Sequence, residues 1–80
     1  MNKAVLESKM KLFGDNQSKL AEAMGISPQR LNAKLNQTDG AQFTQGEIKF
    51  MIIRYNLTYV EIYVIFFGGD VSLLDTNGRI

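Results

Sequence analysis

The sequence predicts an all-α fold of five short helices, and three observations carry that expectation. Apolar residues recur at three- and four-residue spacing along most of the chain. Thr44-Gln45-Gly46-Glu47 and Thr58-Tyr59-Val60-Glu61 each spell a capping box, in which a Thr and a Glu three residues later satisfy one another's backbone N–H groups. Gly14, Gly25 and Pro28 stand where helices should stop or start.

The first helix is expected over about residues 2–13. Leu6, Met10 and Phe13 follow the i, i+4, i+7 rule, Val5 and Leu12 widen the stripe, and Gly14 is the stop. The second begins at the Asp15-Asn16 cap signal and runs through Met24, with Leu20, Ala21 and Met24 inward and Gly25 as its end. The third opens with Ser27 as N-cap and Pro28 in the first helical position, where the missing N–H costs nothing. It runs to about Asn36 with Leu31 and Leu35 on one face. Residues 37–43 read as a loop. The fourth helix starts at Thr44, with Phe43 and Ile48 as hydrophobic staple and Ile48, Met51, Ile52 and Tyr55 as its inward stripe. The fifth starts at Thr58, with Leu57 and Ile62 as staple and Ile62, Ile65 and Phe66 inward. Its β-branched and aromatic residues would also suit a strand; the cap decides for helix. Residues 1–67 thus form one domain, and residues 68–80, with little periodicity, read as an irregular or flexible tail.

Composition removes whole classes of function. The chain has 80 residues, a net charge of +1, and neither Cys, His nor Trp. Disulfides, Cys/His zinc sites, and thiol or imidazole chemistry are therefore excluded. Missing cysteine fits a reducing cytosol. Residues 1–7 lack the apolar run of a secretory signal. Residues 48–67 are interrupted by Lys49, Arg54, Asn56, Thr58 and Glu61, which is unlike a membrane span. A cytoplasmic location is expected, with no membrane contact. Asp15, Glu22, Glu47 and Glu61 are accounted for by caps or solvent, and Gly68-Gly69 is no phosphate loop. No enzymatic activity, cofactor, metal or small-molecule ligand is expected. Charge is uneven: residues 1–36 carry six basic and three acidic side chains, net +3, and residues 37–80 three and five, net −2. That polarity suits an N-terminal half that meets phosphates.

Residues 17–36 read as one unit, a helix-turn-helix. Two helices crossing steeply need a small residue at their contact, which Ala21 supplies, and a turn residue free to take positive φ, which Gly25 supplies. Leu20, Met24, Ile26 and Leu31 are spaced to fill the wedge. With Leu31 and Leu35 buried, Gln29 and Ala33 point most directly outward, flanked by Arg30, Asn32, Asn36 and Gln37. That face has no carboxylate. Its Gln, Asn and Arg side chains are those that pair with adenine and guanine edges in the major groove, and Ala33 could meet a thymine methyl. Gln29, Arg30, Asn32 and Ala33 are the expected base contacts. Asn16, Gln17, Ser18, Lys19, Ser27 and Lys34 are the expected backbone contacts, through helix N-termini and positive charge. The competing reading is an ordinary polar helix in a bundle.

The segment Gln17-Ser18-Lys19-Leu20-Ala21-Glu22-Ala23-Met24-Gly25-Ile26-Ser27 resembles the helix-turn-helix of phage repressor and Cro-like (XRE-type) regulators. The resemblance implies a five-helix, lambda-repressor-like DNA-binding domain over residues 2–67. It implies that Gln17, Ser27, Pro28, Gln29, Asn32 and Ala33 lie at or near DNA. Two positions depart from it. Lys34 stands where the family is usually apolar, so Leu35 is expected to take over packing and rotate the helix slightly. Pro28 replaces a frequent base-contacting polar residue, which shifts readout onto Gln29, Arg30 and Asn32.

Helices four and five carry more apolar surface than one small domain buries. Phe50 and Ile53 fall opposite the inward stripe of helix four, and Val60, Tyr63, Val64 and Phe67 fall outside that of helix five. These six residues are the expected protein interface. A second copy is the simplest partner, since two copies would place recognition helices on successive major grooves of a double-stranded operator. The alternative is that the tail covers one face. The leading expectation is a transcriptional regulator, repressor-like in size, of a bacterial or phage genetic switch, acting at the nucleoid of the host cell. A modulator or antirepressor that binds a repressor protein through helices four and five is the runner-up, and an antitoxin is a third reading.

Overall fold

A computed structural model describes residues 1–68. These residues form α1 (Lys3–Leu12), α2 (Gln17–Met24), α3 (Pro28–Asn36), α4 (Gln45–Arg54) and α5 (Tyr59–Phe67), with a 3-10 turn at Thr38–Gly40. No strand occurs among the described residues, so the class is all-α and Tyr59–Phe67 is helical. From residue 69 onward the expected tail lies outside the described residues.

Every helix starts on a side-chain cap. The Asn2 side chain accepts from Val5 N–H at 3.2 Å, Asn16 from Lys19 N–H at 2.9 Å and Ser27 from Arg30 N–H at 3.1 Å. Both capping boxes are complete. Thr44 N–H donates to Glu47 Oε1 and Thr58 N–H to Glu61 Oε1, each at 2.8 Å, while the threonine hydroxyls accept in return. α2 ends on Gly25 at φ 75°, which lets Ile26 N–H reach back to Ala21 O at 3.0 Å. Residues 25–27 alone separate α2 from α3.

The core gathers Leu6 and Met10 of α1, Leu20 and Ala21 of α2, Leu31 and Leu35 of α3, Met51 of α4, Tyr55 and Leu57 between α4 and α5, and Ile65 of α5. Ala21 is fully buried, as a close α2–α3 approach requires. α1 lies against α5, and Asn2 N–H donates to Ile65 O at 2.9 Å. The inward stripe of α4 holds, with Met51 and Tyr55 fully buried and Ile48 and Ile52 half-buried. α5 is rolled from its expected orientation. Val64 and Ile65 are fully buried, whereas Ile62 and Phe66 are only half-buried. Tyr59–Phe67 is apolar almost all round, so its own periodicity cannot set the roll, and packing against α1 does.

Polar pairs tie the helices together. Asp15 does not cap α2. Its Oδ2 accepts from Arg54 Nε at 2.7 Å and from the Tyr55 hydroxyl, which clamps the α1–α2 turn to the end of α4. The Arg54 hydrogen bond, helped by that of Tyr55, holds the Asp15 carboxyl below its ordinary pKa despite burial, and burial plus Asp15 pushes the Tyr55 phenol up. Glu61, besides its capping role, pairs with Lys9 of α1 at 3.1 Å.

Candidate nucleic-acid interface

The exposed side of α3 is built by the residues that α3 does not bury. Leu31, Lys34 and Leu35 are inward, following the i, i+3, i+4 pattern. Gln29, Arg30, Asn32 and Asn36 are exposed and no carboxylate lies between residues 28 and 38. Arg30 makes no salt bridge to a described residue. The expected base contacts Gln29, Arg30 and Asn32 therefore share one open, carboxylate-free face. Ala33 is half-buried, because the 3-10 turn folds against the end of α3 and the Thr38 hydroxyl donates to Ala33 O at 3.3 Å. Residues 37–43, expected as a plain loop, make this turn with positive φ at Gln37 (53°), Asp39 (53°) and Gly40 (74°).

Lys34 requires a correction. Expected on the phosphate-facing surface, it is 3% exposed, and its Nζ lies 2.6 Å from Glu47 Oε1 and 6.0 Å from the centre of the Phe43 ring. The position is inward by helical geometry, and the long stem carries the ammonium to the start of α4. Burial opposes ionisation of Glu47, but the bonds from Lys34 and Thr44 N–H outweigh it and hold that carboxyl below its ordinary pKa. Lys34 thus takes an inward position with a counter-charge supplied, and Leu35 packs beside it rather than in its place.

The other expected backbone contacts divide. Ser18, Lys19 and Ser27 are exposed. Asn16 is exposed as well, with its side-chain Oδ1 engaged by the cap. Gln17 is half-buried and turned toward α1, where Nε2 donates to Glu7 Oε2 at 3.4 Å. One further residue reaches this face without a sequence signal. Lys3 of α1 donates from Nζ to Asn36 Oδ1 at 2.8 Å, across 33 residues of chain. Asn36 Nδ2 in turn donates to Asn32 Oδ1 at 3.1 Å and Asn32 O at 3.0 Å.

The expected protein interface is also redistributed. Val64 is fully buried and belongs to the interior, a consequence of the roll of α5. Phe50 and Val60 are half-buried, and Phe50 packs on the core with the Arg54 guanidinium 5.9 Å from its ring centre. Ile53, Tyr63 and Phe67 are exposed, at 76%, 51% and 67%. Tyr59, 91% exposed, was not anticipated; with Tyr63 and Phe67 it forms an i, i+4, i+8 stripe. Leu12 and Phe13 of the α1 end are exposed too. Among the described residues no helix is long and apolar enough to cross a membrane.

Comparison of the chain with protein-family models, with curated proteins and with solved structures gave no significant match in any of the three.

Proposed function

We propose that α2, the turn at residues 25–27 and α3 form a helix-turn-helix, and that the protein is a sequence-specific DNA-binding regulator of lambda-repressor-like design. In this reading α3 enters the major groove of a double-stranded operator. The observation that carries it is the exposed face of α3, where Gln29, Arg30 and Asn32 stand together with no carboxylate. Arg pairs with guanine O6 and N7, and Asn or Gln with adenine N6 and N7. Ser18, Lys19 and Ser27 supply the phosphate contacts, at the start of α2 and of α3. Asn16, exposed at the α2 cap, stays with them, and Gln17 and Lys34 drop out of that set.

The test is binding of the purified protein to DNA from its own promoter region at two salt concentrations. Specific binding that weakens with salt and is lost in Gln29→Ala/Arg30→Ala supports the reading. Binding indifferent to that double change refutes it.

A second reading rests on a different observation, the exposed Ile53, Tyr59, Tyr63 and Phe67 of α4 and α5. In that reading the surface binds a protein: a second copy, as a dimeric regulator needs, or a separate repressor that this chain modulates. DNA binding seen only when the repressor is added would favour the modulator.

A further inference from the structure

We infer that Asn32 reads an adenine, and that Asn36 and Lys3 are positioning residues that set which way its amide faces. The inference rests on the DNA-binding reading of α3 above. It begins from the run of hydrogen bonds Lys3 Nζ to Asn36 Oδ1, then Asn36 Nδ2 to Asn32 Oδ1 and O.

A side-chain amide has one accepting and one donating end, and rotation by half a turn about its last bond exchanges them. An exposed asparagine alone is free to present either end. Here the order is imposed from α1. The Lys3 ammonium has only donors, so it selects the Asn36 oxygen. The Asn36 nitrogen is thereby left to donate, and it takes the Asn32 oxygen together with that residue's own carbonyl. Asn32 Oδ1 retains a second lone pair, and Asn32 Nδ2 keeps both N–H groups unengaged by these bonds. The free edge of Asn32 therefore presents one acceptor beside one donor in a set orientation. Adenine offers the complement, an N6 amino donor beside the N7 acceptor. Guanine offers two acceptors at O6 and N7, and the Asn32 oxygen would face one of them.

The positioning contribution has a definite size. A good bidentate contact discriminates against the wrong base by roughly 5- to 150-fold. Immobilising one polar side chain in advance is worth roughly two- to twelvefold of that. Loss of Asn36 or of Lys3 should reduce the adenine preference by that smaller factor and leave preferences set by Gln29 and Arg30 intact.

The experiment selects bound sequences from a randomised duplex library with the wild-type chain. It then measures competition between duplexes differing at single positions. Asn32→Ala identifies the base pair that Asn32 reads. Asn36→Ala, Asn36→Asp and Lys3→Met are scored on the ratio of affinities for adenine and the other bases at that position. The ratio matters because Lys3→Met also removes a charge and Asn36→Asp adds one, and either change shifts affinity for all sequences together. Asn36→Asp still accepts from Lys3 but cannot donate to Asn32. Asn36 is exposed, so its variants should keep the wild-type melting curve.

The expected result is an adenine at the Asn32-dependent position, with the preference reduced two- to twelvefold in all three variants and the other positions unchanged. Two results overturn the inference while leaving DNA reading by α3 in place: a base other than adenine there, or an unchanged preference in the Asn36 and Lys3 variants. Failure of the wild type to enrich any sequence overturns the DNA-binding reading itself, and this inference with it.

Discussion

Replacing Glu47 by Gln separates the charge of the Lys34–Glu47 pair from its geometry. The glutamine oxygen can still accept from Thr44 N–H and from Lys34 Nζ, but the ammonium, 3% exposed, loses its counter-charge. Breaking a fully buried pair this way costs about 3–5 kcal/mol. The Glu47 side chain keeps 18% exposure and both hydrogen bonds survive, which brings the expected cost down to about 2 kcal/mol. Glu47→Ala also removes the capping box and costs about 1 kcal/mol more. Lys34→Met keeps the length and the burial and removes the charge that needs a partner, so it should lie within about 1.5 kcal/mol of wild type. In the Lys34→Met background, Glu47→Gln has no ammonium to strand and should cost under about 0.5 kcal/mol. Urea unfolding of the wild type, Glu47→Gln, Lys34→Met and the double variant near neutral pH, followed by circular dichroism, gives the coupling directly. A cost for Glu47→Gln that is equal with and without Lys34 would refute the reasoning. So would a cost in the wild-type background below about 0.5 kcal/mol.

Further outcomes follow from the caps, the turn and the titrating groups. Gln37 ends α3 at φ 53° in open solvent, so Gln37→Gly should raise stability by about 0.5–1 kcal/mol, read as a higher urea midpoint at unchanged m-value. Thr58→Ala removes the acceptor for Glu61 N–H and should cost about 1 kcal/mol, and Thr58→Ser should recover most of it. Asp15, Glu47 and Glu61 all have lowered carboxyl pKa values in the folded chain, so their stabilising contribution is present above the unfolded values near about 4 and is lost as pH falls through the folded ones. Midpoints measured down an acid series should therefore be flat near neutrality and fall in that acid range. Tyr55 has the opposite sign: its raised pKa stabilises below the unfolded value of about 10 and is lost as pH rises through the folded one, an alkaline fall that Tyr55→Phe should reduce.

What was legible in the sequence was what is local. Helix number, the N-caps at Asn16, Ser27, Thr44 and Thr58, and the stop at Gly25 depend on residues within one turn of each other, and they appear where spacing put them. The open face of α3 was legible for the same reason, since Leu31 and Leu35 determine which residues oppose them. Partnerships across the chain were not. Asp15 sits beside a capping residue and resembles one, but its partners Arg54 and Tyr55 are 39 and 40 residues away. Lys34 was read by its charge, and only Glu47 at the start of another helix explains its burial. The roll of α5 escaped because a helix apolar on every side carries no directional signal; α1 decides it.

The double use of the capping glutamates bears on how the domain opens. Glu47 and Glu61 each hold the first turn of their own helix and a lysine of a distant one, Lys34 of α3 and Lys9 of α1. A first turn that frays would ordinarily do so alone, at little free energy. Here, unwinding the start of α4 or α5 also releases a cross-helix ion pair, so local fraying is linked to loosening of the whole bundle. The Glu47 and Glu61 amides, each donating to a threonine cap, should therefore exchange with solvent deuterium at rates nearer those of core amides such as Ile65 than that of Arg30 at the α3 start, where Ser27 caps without such a link.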